Sequence, residues 1–345
     1  MASPSGKIDI KDLLKEEFEK EVSRLGIETF RAAQVLDWAY KKYIFDFDKM
    51  ANLSPELRSL LKEKFYISGL KPVKELVSKD GTKKFLFRLE DNENIESVFI
   101  PSRNTNTVCI SSQVGCRFAC RFCASGKGGF IRDLRPAEMV NQVLFLKRQS
   151  NISNVVFMGM GEPLDNYENV LKAIRILNAP YGLGIGQRKI TISTCGIIPA
   201  IKKLSRKRLQ IELSISLHSP KDEVRSSIMG VNKKYPVREL ILACRDYIKE
   251  TNRQITFEYV LIKGINDSRE DADELSRLIK GMLVKVNLIP SNPIEGLDYF
   301  PPGPKVVKEF KGVLDKRGIV SVIRATRGVD ISAACGQLGL RNETE

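Results

Sequence analysis

The spacing of hydrophobic residues changes twice along the chain, and the changes divide it. Up to about residue 65 the apolar positions recur at helical spacing: Leu13, Leu14, Phe18 and Val22, then Phe30, Ala33, Val35, Trp38 and Ala39. A third helix opens at Ser54-Pro55-Glu56, with serine as the capping residue and proline at the first helical position. From Lys71 the period falls to two. Residues 73–78 and 82–89 flank Lys79-Asp80-Gly81, a strong hairpin signal, and a third strand over 96–100 ends at Pro101. Glu96 interrupts that otherwise apolar strand, so its carboxylate either faces solvent or serves a site.

Beyond Pro101, short apolar runs alternate with amphipathic stretches. Strands are expected near 107–111, 154–158, 189–193, 210–217, 255–262, 284–289 and 320–324. Helices are expected between them, near 136–149, 166–177, 198–207, 236–250, 267–282 and 304–317. Repeated strand–helix units imply a parallel sheet with right-handed crossovers. The fold class is therefore α/β, a partial or full barrel, the partial form having six βα units. It carries a small helical N-terminal domain (1–68) and a hairpin extension (69–101) ahead of the barrel (102–345). Gly182-Leu183-Gly184-Ile185-Gly186 precedes a strand, not a helix, and so fails as a dinucleotide fingerprint.

Composition narrows the class. The 345 residues, 42% hydrophobic and 28% charged, are those of an ordinary globular protein with a substantial core. No apolar run reaches the roughly 18 residues of a membrane span, and Met1 to Lys7 lack a hydrophobic signal core, so a cytoplasmic location is expected. Seven cysteines, an odd number, argue for metal ligation or redox chemistry over a disulfide framework. Lys plus Arg exceed Asp plus Glu by 56 − 42 = 14. That positive field favours a polyanionic partner such as nucleic acid.

The chemistry concentrates in Cys116-Arg117-Phe118-Ala119-Cys120-Arg121-Phe122-Cys123. Three soft thiolates this close can hold three corners of a cubic iron–sulfur cluster, leaving the fourth iron open. A zinc knuckle would need a fourth cysteine or histidine nearby, but the only histidine, His218, lies far along the chain. In such barrels the site lies at the C-terminal ends of the strands. The unusual residues fall there in succession. Gly159-Met160-Gly161-Glu162-Pro163 follows the second strand, Ser193-Thr194-Cys195-Gly196 the third, and Ser214, Ser216 and His218 the fourth. Asn287 and Asn292 flank the end of the sixth, and Cys335 lies beyond the seventh.

The cysteine spacing resembles the signature of the radical S-adenosylmethionine (SAM) superfamily. The resemblance sharpens over Glu96 to Leu338 into the RlmN/Cfr family of radical SAM RNA methyltransferases. It is carried by Glu96-Ser97-Val98-Phe99-Ile100-Pro101, Cys109-Ile110-Ser111-Ser112-Gln113-Val114-Gly115-Cys116 and Phe157-Met158-Gly159-Met160-Gly161-Glu162-Pro163-Leu164. Ser193-Thr194, Ser216-Leu217-His218, Ser291-Asn292-Pro293 and Asp330-Ile331-Ser332-Ala333-Ala334-Cys335-Gly336-Gln337-Leu338 follow in order. Glu162-Pro163-Leu164-Asp165-Asn166 is closer to the RlmN branch than to the Cfr branch.

The resemblance implies roles residue by residue. Cys116, Cys120 and Cys123 would bind a 4Fe–4S cluster, whose electron cleaves SAM. Gly161 and Glu162 would take the methionine amino group, and Ser193 the carboxylate or ribose. Ser216, Leu217, His218 and Asn292 would line the rest of the SAM pocket. Cys335 would carry a methyl group taken from one SAM, and a second SAM would activate it for addition to an adenine ring carbon. Glu96 would accept a proton, and Cys109 would form a transient disulfide with Cys335. Cys244 falls on an apolar helix face with Val237, Leu240 and Ile241, and neither it nor Cys195 is assigned a role.

The implied activity is adenine C2 methylation in 23S rRNA, in the peptidyl-transferase region, and in tRNA, just 3′ of the anticodon. The enzyme would act as a monomer without a membrane, reduced by a donor such as flavodoxin or ferredoxin. Three alternatives stay open at this point: C8 methylation of the Cfr type, a non-catalytic iron–sulfur or zinc protein that only binds RNA, and a radical SAM enzyme acting on a small molecule.

Overall fold

The computed structural model describes residues 6–103, 105–294 and 296–339. Strand β1 (Ile8–Asp9) precedes helices α1 (Lys15–Ser23), α2 (Phe30–Tyr40) and α3 (Pro55–Lys64), and β2 (Phe65–Tyr66) returns to pair with β1. The Ser54 hydroxyl accepts the Leu57 N–H at 3.3 Å with Pro55 at the first helical position, as the sequence predicted. This unit docks on the rest of the chain through buried polar contacts as well as apolar ones. The Lys11 ammonium, fully buried, donates to Asn141 Oδ1 at 2.6 Å and lies 3.8 Å from the centre of the Phe45 ring.

The hairpin extension is β3 (Pro72–Val77), β4 (Lys83–Arg88) and β5 (Asn94–Ile100), all antiparallel. After it come β6 (Thr107–Cys109), a small ribbon of β7 (Gln113–Gly115) and β8 (Phe130–Asp133), and α4 (Pro136–Lys147). Then follow β9 (Asn154–Phe157), α5 (Tyr167–Asn178), β10 (Ile190–Thr194), α6 (Ile198–Ser205) and β11 (Glu212–Ser216). The chain continues through α7 (Asp222–Ile228), α8 (Val237–Thr251), β12 (Ile255–Leu261) and α9 (Arg269–Leu278). It closes with β13 (Val284–Pro290), α10 (Pro304–Lys316) and β14 (Ser321–Ile323).

Ten strands form one sheet in the order β14-β13-β12-β11-β10-β9-β6-β5-β4-β3. The seven strands expected after Pro101 are all present and mutually parallel, with the hairpin extension added antiparallel at β6. Among the described residues β14 and β3 remain the two edges, so the sheet is open and the barrel partial. The β7–β8 ribbon and α7 were not foreseen, because elements of three to seven residues are too short to display a period.

Strand register decides which side chains meet. Cys109 lies beside Val156, Val156 beside Thr191, and two residues further along Ser193 lies beside Ser214. Ser216, Glu258 and Asn287 form the next row. The alternate positions, Val108, Val155, Phe157, Ile190, Ile192, Leu213, Ile215 and Phe257, are apolar and buried in the main core. One face of the sheet is thus greasy, and the other carries a polar stripe. Cys244 is fully buried in that core, consistent with the apolar helix face.

Candidate active site

The three-cysteine loop runs between β7 and β8 and is held tightly at its base. Cys116 N–H donates to Gly129 O at 3.0 Å, Cys123 N–H to Cys120 O at 3.0 Å, and Arg121 N–H to Ile228 O at 2.9 Å. Gly115, at φ +71°, permits this approach, since a Cβ there would lie 1.8 Å from Gly129 O. Cys116, Cys120 and Cys123 line one wall of an open cavity of about 1000 Å³. Desolvation pushes the Cys116 thiol up to about 12 and raises Cys120 and Cys123 as well. Ionised thiolates here therefore call for a strong positive partner. Among the described residues no three His, Cys, Asp or Glu side chains are grouped to hold a single metal ion. A cubic cluster instead takes one thiolate at each of three separate irons, so it does not need three side chains converging on a single ion.

The opposite wall is built from the strand ends. Gly161, Glu162, Ser193, Ser216, His218 and Asn292 all line the same cavity; Leu217, expected there too, is fully buried and is not among the lining residues. Glu162 is 4% exposed, its Oε1 accepting the Leu164 N–H at 3.0 Å and its Oε2 the Cys195 N–H at 2.7 Å. Burial raises its carboxyl above the usual range, so a ligand cation would be welcome there. Gly161 sits at φ +97°, and a Cβ on it would stand 2.5 Å from Gln113 Cβ. Gln113, fully buried, joins the walls: its Oε1 accepts the Glu162 N–H at 2.8 Å and its amide donates to Asp133 and Asp165.

His218 is buried at φ +57° with its ring edge-on to Phe122 of the cysteine loop, the centroids 4.9 Å apart. Its Nδ1 accepts the Val260 N–H at 3.0 Å, and burial with the Arg225 guanidinium pushes it down to about 3. The imidazole is therefore neutral and not a cation, and with Nδ1 accepting, its proton sits on Nε2. Two residues that sequence reasoning passed over hold this corner. Arg225, fully buried, donates to Leu217 O, Cys195 O and Ser216 O at 2.9, 2.7 and 3.0 Å. Asn266 donates to His218 O and Val260 O at 2.6 and 2.7 Å. A buried arginine and asparagine carry no period and no motif, so neither left a readable signal.

Buried polar atoms on this wall lack partners, as a ligand pocket's do. Ser291 Oγ makes no hydrogen bond, and Glu258 Oε2 has only Arg324 Nη1, at 3.9 Å. Both residues line the cavity. A ligand bearing an ammonium group and hydroxyls would satisfy them, so the pocket fits SAM beside a cluster.

Cys335 is exposed, and it lines both this cavity and an adjoining chamber of about 820 Å³. Cys109 lines the second chamber as well. Burial, then the neighbouring Cys335, push the Cys109 thiol up to about 12. Arg324, also missed from sequence, lies between the chambers, its charge favoured by both sulfurs and by Glu258. Asn292 donates to Cys335 O at 3.0 Å, so it braces the Cys335 segment as well as lining the cavity. Glu96 is the exception. It is 3% exposed and lines neither chamber, being covered by the C-terminal segment.

A parallel strand–helix sheet whose rim gathers three loop cysteines beside a polar, cation-seeking pocket defines a radical SAM enzyme. The radical SAM superfamily model matches residues 110–276, and membership implies a 4Fe–4S cluster and SAM. The model of the ribosomal RNA large subunit methyltransferase N-terminal domain matches residues 8–67. A probable dual-specificity RNA methyltransferase RlmN of Clostridium novyi is 51% identical over 90% of this chain and 91% of its own. The dual-specificity RNA methyltransferase RlmN of Syntrophotalea carbinolica is 46% identical, over 96% of this chain and 90% of its own. The crystal structure of a radical SAM methyltransferase from Sphaerobacter thermophilus matches with a TM-score of 0.92 at 44% identity, covering 96% of this chain and 99% of that one. The chain belongs to the RlmN family of radical SAM RNA methyltransferases.

Among the described residues no helix is long and apolar enough to cross a membrane.

Proposed function

We propose that this enzyme methylates adenine at C2, in 23S rRNA of the peptidyl-transferase region and in tRNA 3′ of the anticodon. Cys335 is the methyl carrier, and two SAM molecules are used per turnover. The observation that carries this reading is the placement of Cys335 between the two chambers, with the three cluster cysteines in one and Cys109 in the other. A small-molecule enzyme would need no second thiol in the same chamber as the first. The family relatives named for dual-specificity RNA methylation support the substrate class.

Cys116, Cys120 and Cys123 hold the cluster, and Glu162, Ser193, Ser216, His218 and Asn292 hold SAM. Bound there, the two supply the methyl group and the one-electron reductive cleavage that removes hydrogen from it. The chain's own residues do the rest. Cys335 Sγ delivers its carbon as a radical to adenine C2, Glu96 accepts the proton lost from that ring position, and the one electron left over would return to the cluster when bound, which restores the aromatic ring. Cys109 Sγ, losing its proton beside the Arg324 guanidinium, then attacks Cys335 Sγ. The sulfur–sulfur bond forms as the sulfur–carbon bond breaks, the electron pair passes to the nucleobase-borne carbon, and a proton completes the methyl group. Cellular thiols reset the disulfide. Residues 1–68, with Lys41, Lys42, Arg58, Lys62 and Lys64, act as the RNA-binding appendage. The enzyme works as a monomer in the cytoplasm, with flavodoxin or ferredoxin as donor.

The test is Cys335→Ala and Cys109→Ala. The first is expected to bind cluster and SAM and to yield no methylated RNA; methylated RNA from it overturns the carrier role. The second is expected to trap RNA covalently on Cys335, and turnover at the native rate overturns the resolving role. Mass spectrometry of the RNA product decides between 2-methyladenosine and the 8-methyladenosine of a Cfr-type enzyme.

A further inference from the structure

Cys335 belongs to a segment with little secondary structure of its own, and neighbouring parts of the fold fix its path. Four contacts come from the hairpin. Gly328 N–H donates to Asp80 Oδ2 at 3.0 Å, Ser78 Oγ to Asp330 Oδ1 at 2.6 Å, and Lys79 N–H to Asp330 Oδ2 at 3.2 Å. The fourth is the Lys84 ammonium on Ser332 O at 3.2 Å. On the cluster side, Ala124 N–H donates to Gly336 O at 2.7 Å and Ser125 Oγ to Leu338 O at 2.7 Å.

Lys84 differs from the other hairpin contacts in also touching Glu96. In the β4–β5 register Lys84 opposes Val98 and Leu86 opposes Glu96, so Lys84 and Glu96 are diagonal neighbours on one face. Lys84 Nζ lies 3.0 Å from Glu96 Oε1, with the two side chains 5% and 4% exposed. Glu96 Oε2 accepts the Gly339 N–H at 2.6 Å. The pair thus joins the carboxylate to both ends of the stretch that carries Cys335, at Ser332 and at Gly339. A buried ion pair is a poor way to gain stability, because desolvation offsets most of the attraction and an apolar pair of equal volume packs as well. Its presence here needs another reason.

We propose that Lys84 is a positioning residue for the proton-accepting step. It holds the Glu96 carboxylate and, through the Ser332 carbonyl, the Cys335 segment in one arrangement, so that base and methyl carrier reach the same adenine together. The Gly339 N–H is the contact that yields when Glu96 turns to the nucleobase, while the ammonium at 3.0 Å keeps the buried charge partnered. This inference rests on the reading of Glu96 as proton acceptor.

The experiment compares Lys84→Met, Lys84→Arg and Glu96→Gln in reconstituted full-length enzyme acting on an unmodified tRNA transcript. Three quantities are read: methylation of Cys335 by peptide mass, reductive SAM cleavage, and the RNA–protein adduct on a denaturing gel. Lys84→Met is expected to keep the first two and to accumulate adduct, with RNA product formation falling about 10- to 100-fold. Lys84→Arg, which returns the charge, is expected to recover product formation. Native turnover by Lys84→Met overturns the proposal. So does loss of Cys335 methylation along with turnover, which would mark Lys84 as support for the fold alone, and so does an arginine variant no better than methionine. Glu96→Gln separates the two readings. Without adduct in that variant the proton-acceptor reading has failed; with adduct there and none in Lys84→Met, only the Lys84 proposal has failed.

Discussion

Acid should weaken this protein through one histidine. In the folded chain, burial and the Arg225 guanidinium hold His218 down to about 3, against 6.5 for the ordinary group. The unfolded chain binds that proton below pH 6.5 and the folded chain refuses it until about pH 3, so stability falls as pH drops through this window. Each pH unit inside it costs about 1.4 kcal/mol, which makes the loss between pH 7 and pH 5 about 2 kcal/mol from this side chain alone. The perturbation that isolates it is His218→Asn. Asparagine tolerates the left-handed backbone at φ +57°, and its amide oxygen can take over the Val260 N–H that His218 Nδ1 accepts. Urea unfolding of the cluster-free, SAM-free chain at pH 7, 6 and 5 gives the stability of each protein. The native chain is expected to lose about 2 kcal/mol more than the variant between pH 7 and 5. Parallel curves would mean that His218 titrates alike in both states and would refute the reasoning.

Other outcomes follow from the same geometry. Gly161→Ala puts a methyl group 2.5 Å from Gln113 Cβ on a backbone at φ +97°, so SAM affinity should fall tenfold or more, about 1.4 kcal/mol, by equilibrium binding. Arg225→Met keeps an unbranched side chain there but strips donors from three carbonyls at the ends of β10 and β11. A loss of about 3 kcal/mol in urea unfolding is expected, with weaker SAM binding.

Most of the architecture was legible because it rests on local periodicity. Strand–helix alternation after Pro101 is a pattern of apolar spacing, and all seven strands and six crossover helices appear where the spacing puts them. The Ser54-Pro55 cap and the Asp80-Gly81 turn are chemical requirements of two or three adjacent residues, so they survive without tertiary context. The short ribbon and α7 were missed for the converse reason. What could not be read was partnership at long range: Lys84 with Glu96 and Ser332, or Arg225 with two strand ends.

The three-cysteine loop and the family words were set by sequence alone, since ligand chemistry is a property of residue type and close spacing. The meeting of Cys335 with that loop and with Cys109 was not. It depends on parallel register, which aligns seven strand ends on one rim, and on a hairpin that grips the C-terminal segment through Asp80 and Lys84. Only the folded chain could also reveal that Glu96 is covered and paired, because burial belongs to all the elements packed around a group and to none of them singly.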